Sequence, residues 1–209
     1  MVDEAHAAGR QVAVHAVGER AVAAATDAIE AALRARPRGD HRHRIEHCSL
    51  LPEGLAKRLA RAGVVVVSQP SFLFERGDRY LRLVPEEQRA RLYAFRALSE
   101  AGVTLASGSD APVTAPEPLR SVAAAVDRRT AAGGELTADE GVESAEALRW
   151  WTANAAYAGF LESERGMLRP GLRADLLLTS KDPTSCAPDE LRELSVERQW
   201  VAGRAVTPA

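Results

Sequence analysis

Apolar positions along the chain fall into short uninterrupted runs separated by longer stretches with helical spacing. Residues 3–8 predict the end of a helix stopped by Gly9, and Gln11-Val-Ala-Val-His15 predicts a short buried strand. Residues 19–35 predict an Ala-rich helix that ends before Pro37, because the residue ahead of a proline is pushed out of helical backbone. His43-Arg-Ile-Glu-His47-Cys48 predicts a second strand. Pro52 and Gly63 bracket a third helix, and the β-branched run Val64 to Val67 predicts a strand covered on both faces. A helix over 85–101 is framed by Pro85 and Gly102, and Val103-Thr-Leu-Ala106 leads as a fourth strand into Ser107-Gly-Ser-Asp110. Helices over 117–132 and 144–158 follow, the second ending at Gly159.

Strand and helix in alternation is the pattern of a parallel α/β sheet with right-handed crossovers. Four such units fit half of a (β/α)8 barrel or a small open doubly wound sheet. The pattern changes after residue 160. Gly166-Met-Leu-Arg-Pro-Gly171 is turn chemistry, Ala174-Asp-Leu-Leu-Leu-Thr179 reads as a strand, and Gln199 to Val206 reads as a hairpin around Ala202-Gly203. Strands without intervening helices predict a separate small β element there.

Composition narrows the class. The 209 residues are 46% apolar and 27% charged, enough for a sizeable core. Twenty-seven basic against 29 acidic residues, a net charge of -2, give no case for a nucleic-acid partner or an anionic membrane. Cys48 and Cys186 cannot make a disulfide scaffold, and no CxxC of the zinc type is present. The opening residues lack a signal-peptide pattern, and no run approaches the roughly 18 apolar residues of a membrane span. The expectation is a soluble, cytoplasmic protein.

The residues that end the predicted strands carry the chemistry: His15, His47, Ser68-Gln69 and Asp110. In parallel α/β folds the carboxyl ends of the strands open onto one face, where sites are built. Two imidazoles and a carboxylate there are a plausible ligand set for zinc or a similar ion, against the blander reading of polar strand ends satisfied by backbone or water. His43 and His47 cannot share an ion, since four strand residues separate them by about 13 Å at about 3.3 Å each. His41 and His43 are therefore expected to be structural or solvated, and His6 to lie on a helix surface. Cys48 should face away from His47 as a buried thiol, Arg128-Arg129 should be solvated helix surface, and Trp150-Trp151 should pack in the core. No G-x-S-x-G elbow or Gly-rich phosphate loop is present.

Several blocks in order carry a specific resemblance: His15-Ala-Val-Gly-Glu-Arg-Ala21, Arg42-His-Arg-Ile-Glu-His47-Cys48, Ser68-Gln-Pro70 and Ala106-Ser-Gly-Ser-Asp110-Ala-Pro-Val113. Glu117-Pro-Leu119, Ala147-Leu148 with Thr152-Ala-Asn-Ala155, and Gly166 to Asp175 extend it over nearly the whole chain. Together they resemble the C-terminal part of the amidohydrolase superfamily, in particular its amidohydrolase 3 group, which includes N-substituted formamide deformylase and YtcJ-like enzymes. The resemblance implies strands five to eight of a metal-dependent (β/α)8 barrel over residues 1–160 and part of a small β-sandwich over 161–209. It implies His15 and His47 as metal ligands on strands five and six. Asp110, on strand eight, would be both ligand and general base and acid. The implied cofactor is one or two divalent ions, zinc foremost, and the implied substrate a small non-peptide amide hydrolysed at its C–N bond. Glu19 stands where the group usually has Asp, and the group's His-x-His on strand one and bridging carboxylate on strand four have no counterpart. The chain alone is therefore expected to be inactive, a fragment completed by an N-terminal half. The alternative is a non-catalytic half-barrel that self-associates or pairs with a separately encoded half.

Overall fold

Four parallel strands with helical connections form the first sheet of the computed structural model, which describes residues 1–206. They are β1 (Ala13–Ala16), β2 (Arg44–His47), β3 (Val65–Ser68) and β4 (Thr104–Ser107), hydrogen-bonded in that order. Each lies within a residue or two of its predicted run. Val14, Ile45, Val66 and Leu105 share one row across the sheet. They face the helices, and Ile45, Val66 and Leu105 are buried in the main core. Because strand side chains alternate, the next row of His15, Glu46, Val67 and Ala106 faces the other way. There Val65, Val67 and Ala106 make a second, smaller apolar cluster with Ala158.

Helix α1 (Val2–Ala7) precedes β1, and α2 (Glu19–Ala35) follows it, burying Val22, Ala25, Ile29 and Ala32 at helical spacing. Helix α3 (Leu55–Arg61) crosses to β3. The chain then forms α4 (Ser71–Leu83), which the apolar pattern does not predict. The predicted helix over 85–101 is two helices, α5 (Glu86–Arg89) and α6 (Phe95–Glu100). Between them Leu92 bridges to Leu50 and Tyr93 takes a left-handed backbone with φ 49, so the helical path breaks.

The predicted 117–132 helix stops as α7 (Pro118–Asp127), because Arg128 is left-handed at φ 56. Arg128 is fully buried, against the expectation of a solvated surface, while Arg129 is exposed. The reason is three backbone carbonyls: Nε donates to Leu136 O at 2.6 Å, and the two Nη atoms donate to Tyr93 O at 2.9 Å and Leu92 O at 2.8 Å. Burial lowers its pKa to about 10. The 144–158 helix breaks at Thr152, giving α8 (Ser144–Trp151) and α9 (Ala153–Ala158). Trp150 packs in the core with its ring 5.2 Å from that of Phe95.

The tail folds into a three-stranded antiparallel sheet of β5 (Leu176–Thr179), β6 (Val196–Val201) and β7 (Arg204–Val206). Ala202 and Gly203 both have positive φ, 51 and 76, as a two-residue type I′ hairpin turn requires. Helix α10 (Pro188–Glu193), also not predicted, docks on α7 through Arg192, whose Nη2 donates to both Asp127 carboxylate oxygens at 2.8 Å. No described helix is long and apolar enough to cross a membrane.

Candidate active site

At the carboxyl ends of the parallel strands, His15, His47, Phe72, Tyr80, Tyr93 and Asp110 line one cavity of about 330 Å³. The three residues singled out from the strand ends are thus on the same wall system. They arrive there by different local rules. His15 projects by ordinary strand alternation from β1 and is exposed. His47 is paired in register with Ala16, whose side chain is in the helix-facing core. Strand parity alone would send its imidazole the same way. Left-handed backbone at His47 (φ 74) and Cys48 (φ 49) breaks the alternation, so His47 lines the cavity and Cys48 enters the core. A non-glycine pair in that region is strained, and such strain concentrates at functional sites.

The His15 and His47 rings stand edge to face with centroids 4.6 Å apart. Ser68 Oγ donates to His47 O at 2.9 Å and Ser107 Oγ donates to Ser68 O at 3.2 Å, stitching the mouths of β2, β3 and β4 together. Asp110 follows β4 with φ 58, held by Val113 N–H donating to its carbonyl at 2.8 Å. Its exposed carboxylate makes no hydrogen bond or ion pair among the described residues, which leaves both oxygens free for chemistry. Cys48 is no nucleophile: burial pushes its thiol up to about 12.

As to a metal, the two imidazoles are close enough to serve one ion. Among the described residues, however, no group of three or more His, Cys, Asp or Glu side chains is placed to hold one. His15 and His47 fit two corners of a coordination sphere, with Asp110 set apart on the same cavity wall. Tyr80 and Tyr93 belong to this cavity and were not legible in the sequence. Nothing local marks them, since Tyr93 enters through the left-handed break between α5 and α6.

The other three histidines form a separate cluster at the amino ends of the strands. Val12 N–H donates to His43 Nδ1 at 3.1 Å, so the His43 proton sits on Nε2 and is shared with His6 Nδ1 at 2.8 Å. His6 Nε2–H in turn donates to Arg36 O at 2.7 Å. His6 is therefore buried, not on the surface as its helix position suggested. His41 accepts from the His43 backbone N–H at 2.9 Å and donates to Ala62 O at 2.8 Å. Desolvation pushes His43 down to about 4 and lowers His41. This cluster is structural. A wider hollow of about 590 Å³ beside it, lined by Arg34, Arg38, His41 and Arg61, lies at the opposite end from the strand mouths.

The chain thus has a parallel α/β scaffold with two histidines and a carboxylate at the carboxyl ends of its strands. The chain belongs to the Amidohydrolase family, whose family model matches residues 1–207. It is 37% identical over 196 residues to N-substituted formamide deformylase of Arthrobacter pascens, covering 93% of this chain and 36% of that one. It is 27% identical over 209 residues to the Bacillus subtilis (strain 168) protein YtcJ, covering 99% of this chain and 39% of the relative. Among solved structures, an uncharacterized metal-dependent hydrolase of Pyrococcus horikoshii OT3 superposes with a TM-score of 0.76 at 27% identity. That match covers 90% of this chain and 37% of the other. The chain thus spans well under half the length of the relatives it matches.

Proposed function

We propose that this chain supplies part of the active site of a metal-dependent hydrolase that cleaves a non-peptide C–N bond in a small amide. The observation that carries the reading is the meeting of His15 and His47 over a cavity that also holds Asp110. The four parallel strands are read as strands five to eight of a (β/α)8 barrel over residues 1–160, and the tail as part of a small β-sandwich over 161–209. Further ligands come from polypeptide beyond these four strands, in keeping with the incomplete donor set.

His15 and His47, as neutral imidazoles, would hold a divalent ion of the zinc type. When bound, such an ion supplies an acidified water and polarises the substrate carbonyl. Asp110 takes a proton onto a carboxylate oxygen and returns it to the leaving nitrogen, acting first as base and then as acid. Its freedom from other partners keeps that oxygen available.

The test is Asp110→Asn in the complete protein, assayed on an N-substituted formamide. A loss of about 10²–10⁴-fold in kcat is expected, and near-normal turnover would overturn the assignment. β1 and β4 are the outer strands of the sheet and pair with no further strand among the described residues, which with the open donor set also favours a second reading. In it the chain is a non-catalytic module that pairs with separately supplied strands. Co-purification of such a partner, without amide turnover by the pair, would select it.

A further inference from the structure

The cavity that holds the two histidines also carries hydroxyl groups, from Ser49, Tyr80 and Tyr93, that the hydrolytic reading leaves without a task. Tyr93 is 2% exposed, and its hydroxyl lies 3.3 Å from that of Tyr80. Ser49 lines the same cavity. Two hydroxyls in contact carry two protons and only one can lie between them, so one O–H is left to donate elsewhere. The Tyr80–Tyr93 contact is also longer than an ordinary O–H···O bond of about 2.7–2.8 Å, so that bond is easily exchanged for a better acceptor.

Tyr93 is fixed from three sides. Its backbone is left-handed at φ 49, its N–H donates to Ser49 O at 2.7 Å, and its carbonyl is held by the buried Arg128 at 2.9 Å. A residue held this firmly presents its side chain with little freedom to move, the condition under which a donor aimed at a substrate is most effective. Burial pushes the phenol well above its usual range, so it remains a donor throughout the neutral range.

We propose that Ser49, Tyr80 and Tyr93 form a substrate subsite that donates a hydrogen bond from Tyr93 or Tyr80 to an uncharged carbonyl oxygen. The Asp110 carboxylate on the same cavity disfavours a carboxylate in that place, which makes the neutral oxygen of an amide the fitting ligand class. This rests on the amide-hydrolase reading and adds a specificity element to it. Tyr93 and Tyr80 are contacts to substrate and not ligands to a metal.

The experiment compares an N-substituted formamide with its thioamide counterpart, in which sulfur is a poor hydrogen-bond acceptor. The complete protein and its Tyr93→Phe and Tyr80→Phe variants are assayed side by side, since phenylalanine keeps the ring and the packing. Losing the donor should lower kcat/KM for the amide by about tenfold in at least one variant, the size of one neutral hydrogen bond. The thioamide should change by less than about twofold on the same scale. Equal losses on both probes in both variants would reduce the tyrosines to packing and overturn the subsite. Binding of the same two compounds is followed separately by saturation-transfer NMR. If no compound is hydrolysed, the hydrolytic reading falls. A preference for the amide that disappears in a tyrosine variant would still uphold the subsite, and binding indifferent to both substitutions would end it.

Discussion

His47 lies edge to face against His15, ring centroids 4.6 Å apart, although register alone would turn His47 toward the helices. The left-handed pair His47-Cys48 makes that meeting possible. Since zinc takes imidazole nitrogens at about 2.0–2.1 Å, the two rings are near enough to share one ion. His15→Ala and His47→Ala should each weaken zinc binding by the complete protein more than about 100-fold, beyond the roughly 10–100-fold cost of losing an outer-shell partner. Competition with a chromogenic chelator measures this. Unchanged affinity in both variants would remove the pair from the metal site.

The His6–His43–His41 cluster should make stability depend on pH. His43 is held near 4 in the fold against 6.5 for a freely solvated imidazole, chiefly by desolvation. Between those values the unfolded chain binds the proton and the folded chain does not, so stability rises with pH. The contribution is fully present above about pH 6.5 and lost as pH falls toward 4, a loss of up to about 3 kcal/mol. His41, shifted in the same direction, adds to it. Melting curves between pH 7.5 and 4.5, repeated on His43→Gln, should show the variant less stable at neutral pH but with a shallower slope. An equal slope would place the acid sensitivity elsewhere.

Arg128→Met keeps much of the buried volume and removes the donor that serves Leu92, Tyr93 and Leu136. A destabilisation on the order of 3 kcal/mol is expected in urea titration, since buried carbonyls lose charged hydrogen bonds. Lysine, with one compact head in place of a planar fork, should recover less than half of it.

Gly77 lies in α4 where an added Cβ would press on Thr130 and come within 2.9 Å of Leu136 Cδ1. Alanine should gain about 1 kcal/mol in helix propensity and lose about 1–3 to overpacking, a net destabilisation of about 1 kcal/mol. A raised melting temperature would mean that Thr130 and Leu136 yield without strain.

Whereas β2 (Arg44–His47) holds a single apolar residue, Ile45, the strands β1, β3 and β4 were legible because each is a compact apolar run near a glycine or a proline, a signal carried by adjacent residues. The same holds for His15 and Asp110, which sit where those runs end. Arg128 and His6 were misread because their partners are distant in sequence: Leu92 and Tyr93 for the arginine, His43 and Arg36 for the histidine. Helix α4 was missed because Ser71 to Leu83 mixes five charged side chains with Gly77, and its buried face appears only once α7 is beside it. Tyr93 escaped for a similar reason. Its conformation is imposed by Ser49 and Arg128, which come from other parts of the fold.

The sheet order has a consequence for how the protein is made. β1 to β4 are neighbours in space in the order in which they are synthesised. Each new strand pairs with the one made just before it, across a connection of 17 to 35 residues, so the sheet can extend in step with translation. The amide of Gln11, by contrast, donates to Ala158 O at 2.8 Å across 147 positions. That tether cannot form until α9 has left the ribosome. A nascent chain arrested before residue 158 should therefore protect the amides of β2 and β3 from exchange while β1, still lacking its far anchor, continues to exchange.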